Sequence, residues 1–135
     1  MTDSRCLGHE APRGYPECRE RLSGILAYLR YAGLEVLDLH APVASGQELD
    51  VEPAPQTLAA VTALHADSYV RRFRAAAARG DALLDSADNP LSPATWAAAW
   101  AAVDATLAAA DWVAGGRDRV GFAAVRPPGD RKSVV

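Results

Sequence analysis

No run of about 18 apolar residues occurs in this chain of 135 residues, so a membrane-spanning helix is not expected. The opening stretch, Met1-Thr-Asp-Ser-Arg-Cys-Leu-Gly-His9, has no apolar core of the kind a secretory signal needs. Cysteine is scarce: Cys6 and Cys18 are the only two, and they form no Cys-x-x-Cys pair. They read as reduced thiols of a cytoplasmic protein rather than as a disulfide framework. Neither sign of charge dominates. Lys and Arg number 14 against 17 Asp and Glu, a net charge of −3, which argues against a broad nucleic-acid surface. Glycines 14, 115 and 116 make no phosphate-binding loop. The three histidines, His9, His40 and His65, are not in metal-ligand spacing and are assigned surface or packing roles.

What the chain does have is apolar content in helical rhythm. Half its residues are hydrophobic, enough for one packed domain, although much of that half is alanine, which favours helix and buries little area. Pro16 and Glu17 open a helical pattern in which Leu22, Ile25, Leu26 and Leu29 share one face, with Gly33 placed to end it. Glu35–Leu39 reads as a short strand. Ala41–Gly46 and Glu52–Pro55 read as loops. A helical stretch follows over Pro55–Leu64, then another through Arg79, with Asp67 as its expected N-cap and Gly80 as its stop. Asp81–Leu91 is a polar loop. The strongest helix is expected next, capped by Ser92, with Pro93 in the first turn and Gly115-Gly116 at the end. Trp96, Trp100, Val103, Leu107 and Ala110 form its apolar stripe. Val120–Val125 is the second expected strand. Helices between apolar strands point to an α/β layer with a parallel sheet. Two strands are few for such a sheet, so the chain is expected to be helix-rich. The cluster Arg71-Arg72-Phe73-Arg74 reads as a solvated helix face, and the Trp96/Trp100 pair as core.

Four pieces carry a resemblance. Gly14-Tyr-Pro-Glu-Cys-Arg-Glu-Arg-Leu22 resembles a Gly-His-Pro-Glu-Arg-Pro-Glu-Arg-Leu motif, with Tyr15 for the histidine and Arg19 for the second proline. Leu64-His-Ala-Asp-Ser-Tyr-Val70 is similar to a Val-His-x-x-x-Tyr segment. Asp85–Thr95 resembles an acidic loop before a long helix. Val125-Arg-Pro-Pro-Gly129 resembles the approach to Arg-Pro-Pro-Gly-His-His-Ala. All four belong to the zinc-dependent histone deacetylase family, which includes bacterial acetylpolyamine amidohydrolases and acetoin-utilisation proteins. The resemblance covers about residues 9–129.

The resemblance implies the amino-terminal part of a three-layer α/β/α parallel-sheet deacetylase fold, helix-rich as a fragment. It also implies a parent enzyme hydrolysing acetyl-lysine or acetylpolyamine amides. Residue by residue, Asp88 matches the rim aspartate that accepts hydrogen bonds from substrate. Arg21 matches an arginine beside an internal acetate channel. Pro128 and Gly129 match the loop lining the acyl-lysine tunnel, where the absence of a bulky side chain lets substrate approach the backbone. The family's tandem histidines, general base and electrostatic partner, fall at 130 and 131, where Asp130 and Arg131 stand. Its zinc ligands and oxyanion-stabilising tyrosine belong farther along the chain. The expectation is therefore a front portion, residues 1–129, with no catalytic residue and no metal ligand of its own. Zinc is expected in the full-length parent and none in this chain. Asp130–Val135 continues no family motif and matches a translated sequencing adapter, so it is expected to be a non-native tail. Met1–Arg5 lacks the apolar strand with which the family opens, and the front is expected to be short as well. The other reading is a small α-rich interaction domain, with the tryptophan helix as its partner surface.

Overall fold

The computed structural model describes residues 1–40 and 51–128. The loop expected over Ala41–Gly46, the site residue Gly129 and the tail Asp130–Val135 lie outside the described residues. A 3₁₀ turn, Ser4–Gly8, is followed by four helices: α1 Arg19–Tyr31, α2 Pro55–Thr62, α3 Asp67–Arg79 and α4 Thr95–Ala114. Among the described residues no helix is long and apolar enough to cross a membrane.

The glycine stops act as expected. At the end of α1, Gly33 has φ +74°, its N–H donates to Arg30 O and the Leu34 N–H reaches Leu29 O. Gly80, φ +73°, ends α3 in the same way, with its N–H on Ala77 O and the Asp81 N–H on Ala76 O. A residue with a side chain is strained at such a φ, which is why glycine punctuates both helices. The N-caps differ from expectation. Asp67 is the first residue of α3 rather than its cap, so its carboxylate sits in the first turn and pairs with Arg71 at 3.6 Å. Ser92 lies in a turn ahead of α4. The Thr95 hydroxyl accepts from the Ser92 N–H at 2.7 Å, so the helix begins only at Thr95.

Helix α4 is the centre of the molecule and packs against the 3₁₀ turn, α2 and α3. Its buried residues are Thr95, Trp96, Ala97, Ala98, Trp100, Ala101, Ala105 and Ala109. The expected stripe is thus only half right. Trp96 and Trp100 are in the core, but Val103 and Leu107 are half-buried and Ala110 is exposed. Alanines take the interior positions because neighbours press on the helix backbone: a Cβ placed on Gly121 would come within 3.0 Å of Ala109 O. Trp96 meets Phe73 and Trp100 edge to face, at 5.1 and 5.3 Å between ring centroids. Both tryptophans are 4 % exposed, so the pair is core, as expected from the sequence.

The expected strands are present only as extended segments. Thr2 forms an isolated parallel bridge with Asp38 through Thr2 N–H to Leu37 O (2.9 Å) and Leu39 N–H to Thr2 O (3.0 Å). On the other side, the Met1 ammonium donates to Phe122 O at 2.6 Å and the Ala124 N–H donates to Met1 O at 2.9 Å. The Thr2 hydroxyl adds a bond to Ala124 O at 2.8 Å. Three extended segments therefore lie side by side in the order 36–39, 1–2, 122–124, all running one way. No multi-residue strand forms among the described residues, so an α/β sheet is not established and the described structure is helical. Met1–Asp3, passed over in the sequence for want of apolar residues, holds the middle place, with Thr2 and Asp3 fully buried.

Candidate functional site

A shallow cleft of about 140 Å³ runs between α1 and the segment 122–128. Its walls include Glu17, Arg21, Leu22 and Ile25 on one side and Phe122, Arg126 and Pro128 on the other. The structure thus brings together two of the residues expected at the site, Arg21 and Pro128, both exposed. Asp88 is elsewhere. It sits exposed on the loop between α3 and α4, which is pinched by the antiparallel bridge Leu83–Pro90. The Asp88 N–H donates to Ser86 Oγ at 3.3 Å, and the Tyr15 hydroxyl ties the loop down by donating to Ala87 O at 2.9 Å. Tyr15, which stands where the motif has histidine, thus links the first motif piece to the acidic loop.

The base of the cleft is a buried polar network. Arg126, 3 % exposed, donates to both oxygens of Glu17, from Nε at 2.8 Å and Nη2 at 2.9 Å. Its Nη1 donates to His9 O at 2.6 Å and more loosely to Cys6 O at 3.3 Å. A bidentate guanidinium–carboxylate pair fixes both position and plane. The His9 Nε2 lies 3.4 Å from Glu17 Oε2, and His9 Nδ1 lies 2.8 Å from the Thr95 hydroxyl. With a neutral ring, this arrangement places the proton on Nε2, facing the carboxylate, and leaves Nδ1 to accept from Thr95.

The charges follow from these contacts. Burial lowers the His9 pKa from its usual 6.5, and the nearby Arg126 cation adds to that against the pull of Glu17. Burial alone would raise Glu17, but the Arg126 hydrogen bonds and charge hold its carboxyl below the usual value. Asp3 behaves alike: burial is outweighed by the Arg5 side chain and backbone N–H. Burial pushes the Cys6 thiol up to about 11, so it is no nucleophile at neutral pH. These residues hold a carboxylate and a guanidinium fixed beneath an apolar cleft.

A second cleft, about 230 Å³, lies between α2, α3 and α4 and is lined by Leu58, Val70, Arg71, Trp96 and Trp100 among others. Its rim cations are matched. Arg71 pairs with Asp67, Arg74 with Glu52, and Arg72, just outside, with Asp85 at 2.7 Å. The basic cluster read from the sequence is therefore a neutralised helix face.

Among the described residues no three His, Cys, Asp or Glu side chains converge closely enough to hold a metal ion. The pair Glu17–Arg126 was not read from the sequence. The first motif piece carries four charged residues, Glu17, Arg19, Glu20 and Arg21, and nothing local marks Glu17 among them as the partner of Arg126.

Comparison with known proteins places these features. A family model described as the histone deacetylase domain matches residues 15–130. An uncharacterized protein of Synechocystis sp. is 35 % identical over 124 residues, covering 91 % of this chain and 38 % of that protein. The chain thus spans well under half the length of the curated relative it matches.

Proposed function

The chain belongs to the histone deacetylase domain family, and from that premise we propose that it is the amino-terminal part, residues 1–129, of a zinc-dependent hydrolase of acetyl-lysine or acetylpolyamine amides, followed by a non-native tail at 130–135. The parent is a cytoplasmic, bacterial-type enzyme. Its substrate is an acetylated amine, and neither nucleic acid nor membrane is a partner. This portion scaffolds the site without catalysing the reaction itself.

The observation that carries this reading is the buried Arg126–Glu17 pair. It joins the Arg-Pro-Pro-Gly piece to the Gly-x-Pro-Glu piece across 109 positions of sequence, so that two motif fragments meet as one structural unit. Arg126 anchors the turn ahead of Pro128, the last described residue before the position of the family's histidine pair. In the parent, Pro128 and Gly129 line the acyl tunnel, Arg21 stands at the inner channel and Asp88 holds substrate at the rim. The residues described do not assemble a zinc site. When bound in the parent, zinc supplies polarisation of the amide carbonyl and activation of water; its ligands come from outside this portion.

The test is the source locus beyond codon 129. The expected reading is His-His-Ala followed by an Asp-x-His pair. The whole gene product should then hydrolyse acetyl-lysine or acetylated polyamine, lose activity to a chelator and regain it with Zn2+. A natural continuation that keeps Asp130-Arg-Lys and carries no later histidine or aspartate ligands overturns the proposal.

A further inference from the structure

A chain of polar contacts runs from the base of the cleft to the start of α4. It begins at Glu17, whose Oε2 lies 3.4 Å from His9 Nε2. His9 Nδ1 is 2.8 Å from the Thr95 hydroxyl, and that hydroxyl is 3.0 Å from Ser92 Oγ. Thr95 Oγ also accepts the Ser92 N–H at 2.7 Å, and Ser92 Oγ accepts the Glu10 N–H at 3.0 Å. A hydroxyl has one proton to give and two lone pairs to offer. With His9 neutral, the Thr95 proton goes to Nδ1, so the Ser92 hydroxyl donates to Thr95. Every place on Thr95 Oγ is then filled. His9 is 2 % exposed and Thr95 4 %, so the protein itself must supply these partners.

We propose that His9 is a pH-sensitive latch, joining the first turn of α4 to the Glu17–Arg126 pair while its ring is neutral and loosening that pair when its ring is protonated. A proton on Nδ1 turns an acceptor into a donor. Thr95 Oγ has no lone pair left for it, so the chain reverses. His9 donates to Thr95, Thr95 donates to Ser92, and the Ser92 proton, at a half-buried position, swings toward solvent. The new charge acts at the other end. The charged groups that bear on His9 are Glu17, Arg126 and Glu10; from α4 the group facing it is the Thr95 hydroxyl. Glu10 is exposed and already paired with Arg19 at 2.9 Å. Two cations, His9 and Arg126, are then left with one carboxylate between them. Both address the same oxygen of it: Arg126 Nη2 holds Glu17 Oε2 at 2.9 Å, and His9 Nε2 faces it at 3.4 Å. A charged ring competes for that oxygen, and the bidentate pair gives up its second bond.

The test is a titration of the isotopically labelled chain by NMR between about pH 8 and pH 5. Glu17 and Asp3 have their pKa lowered from 4.5 and 3.8, so they stay charged across this window. The His9 ring should take its proton below the ordinary 6.5, and the Thr95 amide should shift with the same midpoint. Through that midpoint the hydrogen-exchange protection of the Arg126 guanidinium should fall by about tenfold or more. His9→Gln keeps a donor and an acceptor but does not titrate. It should hold full protection at both ends of the range, and it separates His9 from His40 and His65. Ser92→Ala removes the acceptor that Thr95 needs only when the ring is charged. It should weaken the proton affinity of His9 by about threefold or more, with the helical circular dichroism unchanged. Constant Arg126 protection across the His9 transition overturns the proposal, as does the same fall in His9→Gln. A His9 midpoint unmoved by Ser92→Ala also overturns it, whether or not His9→Gln folds.

Discussion

Removing either member of the Arg126–Glu17 pair should destabilise the chain by several kcal/mol, and removing both should cost less than the sum. Arg126 is 3 % exposed and Glu17 18 % by side chain, so the pair is largely withdrawn from water. Breaking a buried pair from one side typically costs about 3–5 kcal/mol, because the remaining charge has no solvent to return to. For Glu17→Gln the expected loss is about 2–4 kcal/mol. The glutamine oxygen still accepts one bond, and the partly open carboxylate side admits water. For Arg126→Met it is larger, about 3–5 kcal/mol, since His9 O and Cys6 O lose their donor as well. In the double variant no lone charge remains, and the coupling between the two sites should be about 2 kcal/mol. The assay is urea unfolding followed by the fluorescence of Trp96 and Trp100, which sit in the core of α4. A loss under about 0.5 kcal/mol for Arg126→Met, or a double variant that is additive within that margin, would refute the reasoning.

Further outcomes follow from neighbouring groups. His9 has its pKa lowered on folding, so the unfolded chain binds the proton first. Stability should be intact above pH 6.5 and fall as pH drops below it, with His9→Gln flattening that slope in urea midpoints measured across pH. Glu17 and Asp3 are also lowered. Their contribution is present above their ordinary values of 4.5 and 3.8 and lost as pH falls through the folded values, so acid unfolding should steepen there. Of the two thiols, half-buried Cys18 should react with a disulfide reagent in the native state. Cys6, fully buried and pushed up to about 11, should react only on unfolding, giving two separated phases. Gly121→Ala should destabilise by about 1–3 kcal/mol, because the new Cβ meets Ala109 O and Val113 Cγ2, each at 3.0 Å.

Local features were legible in the sequence and non-local ones were not. Leu22 and Leu26 are buried on α1 as their spacing implies, and Gly33 and Gly80 stop their helices because few other residues accept a positive φ. The stripe on α4 was misplaced because the helix is enclosed on several sides and alanine fits wherever a neighbour comes close. Ala98, Ala101, Ala105 and Ala109 keep helical spacing as well, but on a second face away from the tryptophans, and small side chains gave that face no hydrophobic signal. Of the site residues, Arg21 and Pro128 meet at one cleft and Asp88 does not. The role of Glu17 depends on a partner at position 126, and no local window contains both. Thr2 was passed over for a related reason. Its place between two extended segments is held by backbone groups and a hydroxyl, and these leave no hydrophobic signature.

The same placement of Thr2 has a consequence for the order of events in folding. Its hydroxyl bonds Ala124, 122 positions away, so Thr2 must wait for a distant segment before its contacts can close. Bringing the ends of a loop that long together costs about 4 kcal/mol in chain entropy, before the constant term. Contacts of such span slow folding relative to helical neighbours. Helices α1, α3 and α4 can form and dock early, with Thr2 and Asp3 still in water. A chain emerging from the ribosome would therefore carry Thr2 without its partners until the segment around Ala124 had followed it out.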